Sequence, residues 1–88
     1  MQFSWDDSKN KANQEKHGLS FEDVIPVFSD EWSIVRPDPD HTEERWVILG
    51  TARYLVVVVA VYSYRDDIIR IISARKATAK ERRSYEEK

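Results

Sequence analysis

The stretch Ile68-Ile69-Arg70-Ile71-Ile72-Ser73-Ala74-Arg75-Lys76-Ala77-Thr78, followed closely by Glu81-Arg82-Arg83-Ser84-Tyr85, decides how this chain folds. Its first part is rich in β-branched residues and predicts a strand over Ile68 to Lys76. Its second part predicts a helix from Thr78 to about Glu87, because Thr78 and Glu81 hold the Thr-x-x-Glu spacing of a capping box. A strand built only for packing has no use for Arg70, Arg75 and Lys76. Cations held on a rigid strand at a sheet margin suit a phosphate-bearing partner. In a regular strand, Ile69, Ile71, Ser73 and Arg75 share one face, while Ile68, Arg70, Ile72 and Ala74 share the other with Lys76.

Upstream, Arg65-Asp66-Asp67 reads as a tight hairpin connection, and Tyr54 to Tyr64 is almost continuously apolar. Such a run predicts the central strand, covered on both faces. Arg45 to Thr51 alternates, with Arg45, Val47, Leu49 and Thr51 on one face and Trp46, Ile48 and Gly50 on the other. Trp32 to Val35 predicts an edge strand, stopped by the rigid Arg36-Pro37-Asp38-Pro39-Asp40 segment.

Before residue 32 the period is helical. Phe3 to Trp5 is a short opening strand or extended anchor. Asp6 and Asp7 sit where N-caps belong, Gly18 where a left-handed C-cap belongs, and Lys9 to His17 is helical between them. The stripe Lys9, Asn13, Lys16 and His17 gives this helix a polar face. Ser20 and Asp23 open a second helix whose Phe21, Val24, Ile25 and Phe28 form an apolar face, shortened or bent by Pro26. The order β-α-α-β-β-β-β-α predicts an α+β fold, with two N-terminal helices packed on an antiparallel β-sheet meander and a C-terminal helix after it. That last helix is charged nearly all round, so it is not expected to be firmly buried and is free to swing or to dock onto a partner.

Eighty-eight residues allow a single domain, 1–88, with one core. The absence of cysteine removes disulfides, thiolate metal sites and a Cys nucleophile. With no signal pattern at the start and no apolar run long enough for a bilayer, a cytoplasmic protein with no membrane partner is expected. Two glycines cannot build a phosphate loop, a dinucleotide fingerprint or a nucleophile elbow. The net charge of -2 hides an asymmetry. Residues 1–44 hold four Lys/Arg against eleven Asp/Glu, and residues 45–88 hold ten against five. A dipolar surface follows, unless the charges interleave on folding.

Two histidines are present. His41 leads His41-Thr42-Glu43-Glu44-Arg45-Trp46, where an acid/base group, carboxylates and a cation meet. More plainly, His41 is a loop histidine that caps local backbone. His17 is a cation at a helix C-terminus, favoured by the dipole. Two histidines without metal-ligand spacing give no metal site, and no cofactor is expected. Arg75, with small neighbours Ser73 and Ala74, is the strongest functional cation, whereas Arg70 suits a surface ion pair. Tyr85, beside Arg82 and Arg83, is a candidate for stacking on a base or meeting a phosphate. Trp5 and Trp46 are expected in the core.

Phe3-x-Trp5-Asp6, Asn13, Lys16-His17-Gly18, Ser20-Phe21-Glu22-Asp23, Val27-Phe28-x-Asp30, His41-x-Glu43-Glu44-Arg45-Trp46-x-x-x-Gly50 and Arg70-Ile71-Ile72-Ser73-Ala74-Arg75-Lys76-Ala77 together resemble the BrnT toxins of type II toxin–antitoxin modules. The resemblance runs in register from Phe3 to Tyr85. It implies a RelE-like α+β fold and a metal-independent ribonuclease that cleaves RNA and stalls translation. It also implies neutralisation by a BrnA-like ribbon-helix-helix antitoxin, through which alone operator DNA is met. The family's site residues map onto His41, Glu44, Arg45, Arg75, Lys76 and Tyr85. Pro26 departs from the family pattern, where a small helix-former is usual.

RNA cleavage needs a base for the 2′-OH proton, cations for the phosphorane and an acid for the 5′-oxygen. Arg75 and Lys76 would supply the charge, His41 or Glu44 the proton transfer, and Tyr85 an optional acid or stacking group. The alternative is a catalytically silent module that binds the antitoxin and acts as corepressor. It gains if His41, Glu44, Arg75 and Lys76 do not converge on one cleft. A DNA gyrase poison on the same fold has no support of its own in these residues.

Overall fold

The structure, a computed structural model, describes residues 1–39 and 44–87. Its elements run β1 (Gln2–Ser4), α1 (Asp7–His17), α2 (Phe21–Val24), β2 (Ile34–Pro37), β3 (Trp46–Thr51), β4 (Val57–Arg65), β5 (Ile68–Lys76) and α3 (Ala79–Glu86). The five strands form one sheet in the order β1-β5-β4-β3-β2. Strands β2 to β5 are the expected antiparallel meander. The meander is not the whole sheet, because β1 pairs parallel with β5. A parallel neighbour requires a long crossover, and α1 and everything after it supply that connection.

Local signals set the boundaries. The Asp6 side chain accepts from Lys9 N–H at the start of α1, and Gly18 closes it at φ 70°. Ser20 caps α2, which lasts one turn before tightening into a 3-10 segment, Ile25–Ser29. Pro26 lies in that segment's first turn, where its missing N–H is tolerated. The second N-terminal helix is therefore a single α turn with a 3-10 extension. At the hairpin, Asp66 and Asp67 take φ of 51° and 66°, the left-handed pair that a two-residue primed turn demands.

The central strand is shorter than its apolar content suggests. Tyr54 and Leu55 belong to a 3-10 turn, Arg53–Leu55, both at φ 61°, with 75% and 86% of their surface exposed. Apolar character alone does not make a strand where the chain must turn between β3 and β4. Edge strand β2 runs past the expected stop and includes Arg36 and Pro37. An edge strand has one unpaired side, where proline costs no ladder bond.

One face of the sheet is closed by α1, α2 and the 3-10 segment. Phe21, Val24, Val27, Ile48, Val58, Ala60, Tyr62, Ile69, Ile71 and Ala74 are buried there, with Phe3, Trp5 and Trp46 packed around them. Phe28 sits edge-on to Tyr62 at 4.9 Å and meets Phe3 at 5.3 Å. Burial pushes the Tyr62 phenol up to about 12, with Tyr64 adding to the effect.

The expected polar stripe on α1 is partly buried. Asn13 donates to the Leu19 carbonyl at 3.0 Å and accepts from Ala74 N–H at 3.2 Å. Asn10 accepts from Phe21 N–H and donates to Glu22, both at 2.8 Å. These two amides pin α1 to α2 and to β5, so the helix needs few apolar residues to dock.

Candidate active site

The face of β5 that carries Arg75 is set by a break in register. Val61 pairs with Ser73 but Tyr62 pairs with Ile71, so Ile72 is an extra residue, a β-bulge. Below the bulge Ile69 and Ile71 face the helices; above it Ala74 does so. Ser73 and Arg75 move to the opposite face, with Arg70. The regular-strand alternation, which put Arg75 on the same side as Ile69 and Ile71, is thereby corrected. Without the bulge the guanidinium would be aimed at the core. A bulge beside a functional side chain is a common re-aiming device.

On this second face two hollows adjoin. One, about 250 Å³, is lined by His17, Arg36, Asp38, three valines (Val47, Val59, Val61), Ser73, Ala74 and Arg75. The other, about 140 Å³, lies between β2–β4 and α3 and includes Glu81 and Ser84. Arg36, Val47 and Val59 belong to both. The floor is apolar, and the walls carry the charges.

Arg75 meets Glu81 end-on: Nη1 donates to Oε1 at 2.7 Å and Nη2 to Oε2 at 2.9 Å. Nη1 also donates to the Lys76 carbonyl at 3.3 Å. Glu81 is held in turn by the capping box, since its Oε1 accepts from Thr78 N–H at 2.9 Å. The hydrogen bond from Arg75 holds the Glu81 carboxyl down at about 2. The same bond raises Arg75 further above its ordinary value. A guanidinium has five N–H groups. Among the described residues none accepts from Nε or from the second Nη2 hydrogen, so the side fork of Arg75 is available to an anion while its end is held rigid.

Helix α3 is not firmly buried, as its charge pattern predicts, yet side chains at both ends tie it to the sheet. It buries none of its residues fully, but Glu81 fixes one end and Tyr85 the other. The Tyr85 hydroxyl donates to Asp30 Oδ2 and lies 3.0 Å from Thr51 Oγ1. Burial and the Asp30 bond raise its pKa. Tyr85 is thus an anchor in this structure rather than an exposed stacking group. Asp30 is the hub, accepting also from Thr51 N–H at 2.9 Å and from Trp32 N–H at 3.0 Å. Gly50 makes room for it: a Cβ there would stand 2.9 Å from Asp30 Oδ2 and from Val27 Cγ2.

Of the sequence candidates, Arg75 lines the larger hollow, and Lys76 is exposed and points the other way along the strand. Glu44 is exposed just before β3, and the Arg45 carbonyl accepts from Asp38 N–H at 2.9 Å, prolonging the β2–β3 ladder. Neither of the two lines the hollows. His41 lies outside the described residues. Three wall residues carry only local signals in the sequence: His17 marks a helix end, and Arg36 and Asp38 belong to a turn-forming segment. Only the alternation Ile34/Arg36 along an edge strand carried a signal for Arg36. Among the described residues, no cluster of three or more His, Asp or Glu side chains is arranged to hold a metal ion.

The model of the family described as "Ribonuclease toxin, BrnT, of type II toxin-antitoxin system" matches residues 5–81. The chain belongs to the BrnT family. The 1.1 Å crystal structure of the Brucella abortus ribonuclease toxin BrnT is similar, with a TM-score of 0.72 at 26% identity, covering 89% of this chain and 97% of that one. No curated protein matches the chain. A BrnT toxin of a type II system has an antitoxin as its partner. No helix among the described residues is long and apolar enough to cross a membrane.

Proposed function

We propose that this BrnT chain is a RelE-like endoribonuclease that cleaves RNA without a metal ion and so inhibits translation in the cytoplasm. The observation that carries it is the side fork of Arg75, aimed by the Ile72 bulge over an apolar-floored hollow in a chain of a ribonuclease toxin family. In the reaction the 2′-oxygen attacks the adjacent phosphorus as a base removes its proton. The P–O5′ bond breaks, the 5′-oxygen takes a proton from an acid, and a 2′,3′-cyclic phosphate remains. Arg75 stabilises the charge that develops on the non-bridging oxygens, in a geometry set before substrate arrives. Lys76 adds positive potential nearby. Proton transfer belongs to His41 or Glu44, with His17 joining them because it lines the hollow. The partner is a BrnA-like ribbon-helix-helix antitoxin, and operator DNA is met only through it.

A second function has one observation in its favour. Among the described candidates, Arg75 lines the larger hollow while Lys76 and Glu44 do not, and Glu81 already neutralises Arg75. That is the arrangement of a catalytically silent antitoxin-binding module acting as corepressor. Purified chain incubated with RNA in excess chelator separates the two. Cleavage that falls about 100-fold or more in Arg75→Ala supports the ribonuclease. Intact RNA from folded wild-type protein sinks it in favour of the silent module.

A further inference from the structure

The open sheet face carries a second cation with no part in the mechanism above. Arg36 lines both hollows and is exposed. Its place follows from the register. Arg36, Val47, Val61 and Ser73 form one row across the sheet, and Ile34, Leu49, Val59 and Arg75 form the next. Arg36 and Arg75 therefore rise from adjacent rows on the same face. Their strands lie three spacings apart, about 14 Å, and the two rows are offset by about 7 Å along the strand. Between them lies only the floor of Val47, Val59 and Val61, and both side chains line the 250 Å³ hollow over it. Arg75 is already paired with Glu81 through the end of its guanidinium and keeps only its side fork, whereas among the described residues no hydrogen bond or ion pair engages the Arg36 side chain. Asp38 shares the wall. The hollow is smaller than the roughly 300–1,000 Å³ of a drug-sized site, which suits one base and its ribose.

We propose that Arg36 is the second phosphate-holding residue of this site, and that the groove takes single-stranded RNA with one nucleoside over the valine floor and a phosphate on each side, at Arg36 and at Arg75. The assignment rests on the ribonuclease function proposed for the same face. A duplex keeps its bases paired and stacked and cannot seat one between the two arginines, so strand state becomes a specificity determinant. Arg36 sits on an edge strand, where its side chain can follow the backbone of a bound strand.

The test is a binding titration with a fluorescent six-nucleotide RNA carrying 2′-O-methyl groups, which cannot be cleaved, at several salt concentrations. Wild type, Arg36→Gln and Arg36→Lys are compared, together with KM and kcat on the unmodified oligonucleotide and melting temperature as a check of folding. For Arg36→Gln, affinity should fall roughly tenfold and the slope of log K against log salt should shrink by about 0.7, the value for one phosphate on a single strand. KM should rise with kcat nearly unchanged, and Arg36→Lys should restore the salt slope. The blunt-ended duplex of the same sequence should bind at least tenfold more weakly than the single strand. An unchanged slope and KM in a folded Arg36→Gln protein overturns the assignment of Arg36, and equal binding of the duplex overturns the single-strand groove. Wild-type protein that neither binds nor cleaves RNA overturns the ribonuclease function itself, and the Arg36 assignment with it.

Discussion

The two faces of the sheet are built on opposite rules. On the helix-covered face, β4 and β5 present Val58, Ala60, Tyr62, Ile69, Ile71 and Ala74 to Phe21, Val24 and Val27, and almost nothing there is exposed. The polar groups on that side, Asn10 and Asn13, are buried and have partners. On the other face the same two strands present Val59, Val61, Ser73 and Arg75, under partial cover from α3. Its apolar floor is left with charged walls. Stability is concentrated on the first face and the proposed site lies on the second, and a single inserted residue, Ile72, decides which side chains go where.

The contrast is sharpest under truncation. Phe21→Ala on the covered face is expected to cost about 3–5 kcal/mol, a large share of the roughly 5–15 kcal/mol that holds a domain together. Val61→Ala on the open face should cost about 1 kcal/mol or less, because its side chain is only partly buried. Urea denaturation of both variants measures the gap, and equal losses would erase the distinction between the faces.

Asn13 probes the covered face from its polar side. Asn13→Ala leaves the Leu19 carbonyl and the Ala74 N–H buried without their partner. The expected cost is about 2–3 kcal/mol, seen as a lowered urea midpoint. Amide exchange should quicken at Ala74 first, since that N–H lies on the margin of β5 beyond the reach of β1. A neutral result would mean that α1 docks without its amide staples.

The smallest expected effect lies on the open face and depends on pH. Glu81 titrates at about 2 in the folded chain, against an ordinary 4.5, because Arg75 holds it. A depressed carboxyl stabilises the fold above its unfolded value and loses that contribution as pH falls toward its folded value. The melting-temperature difference between wild type and Glu81→Gln should thus be full at pH 7 and close between about 4.5 and 2. Glutamine keeps the capping-box acceptor, so the readout isolates the charge. A gap unchanged at pH 2 would show that the Arg75 pair contributes nothing through ionisation.

Much of the framework was legible in the sequence because it depends on neighbours in the chain. Thr78 with Glu81, Asp6 with Lys9 N–H, Ser20 with Asp23 N–H and Gly18 after His17 are contacts within one turn of helix. The Asp66-Asp67 turn and the antiparallel run from β2 to β5 follow from spacing in the same way. The candidate site was legible only in part. Arg75 is the residue both sequence and structure single out, yet its face was misread. The sequence around Tyr85 predicts an exposed contact, and nothing local signals its bond to Asp30, fifty-five residues away. Arg36 and His17 show only local roles in the sequence, yet both line the hollow.

By itself, then, the sequence determined the kinds and order of elements, their caps, the core residues of the central strands and the presence of a cation at the end of β5. Propensity, capping and alternation act over a few residues and can be read directly. Tertiary structure alone decided the parallel docking of β1, the bulge at Ile72, the burial of Asn10 and Asn13, the anchoring of α3 and the meeting of Arg36 with Arg75 over one floor. Each of these depends on residues distant in sequence competing for one place in space. Register is chosen by the closest packing of the whole sheet, and in this chain a shift of one residue in β5 carries the proposed active-site arginine from the core side to the open face.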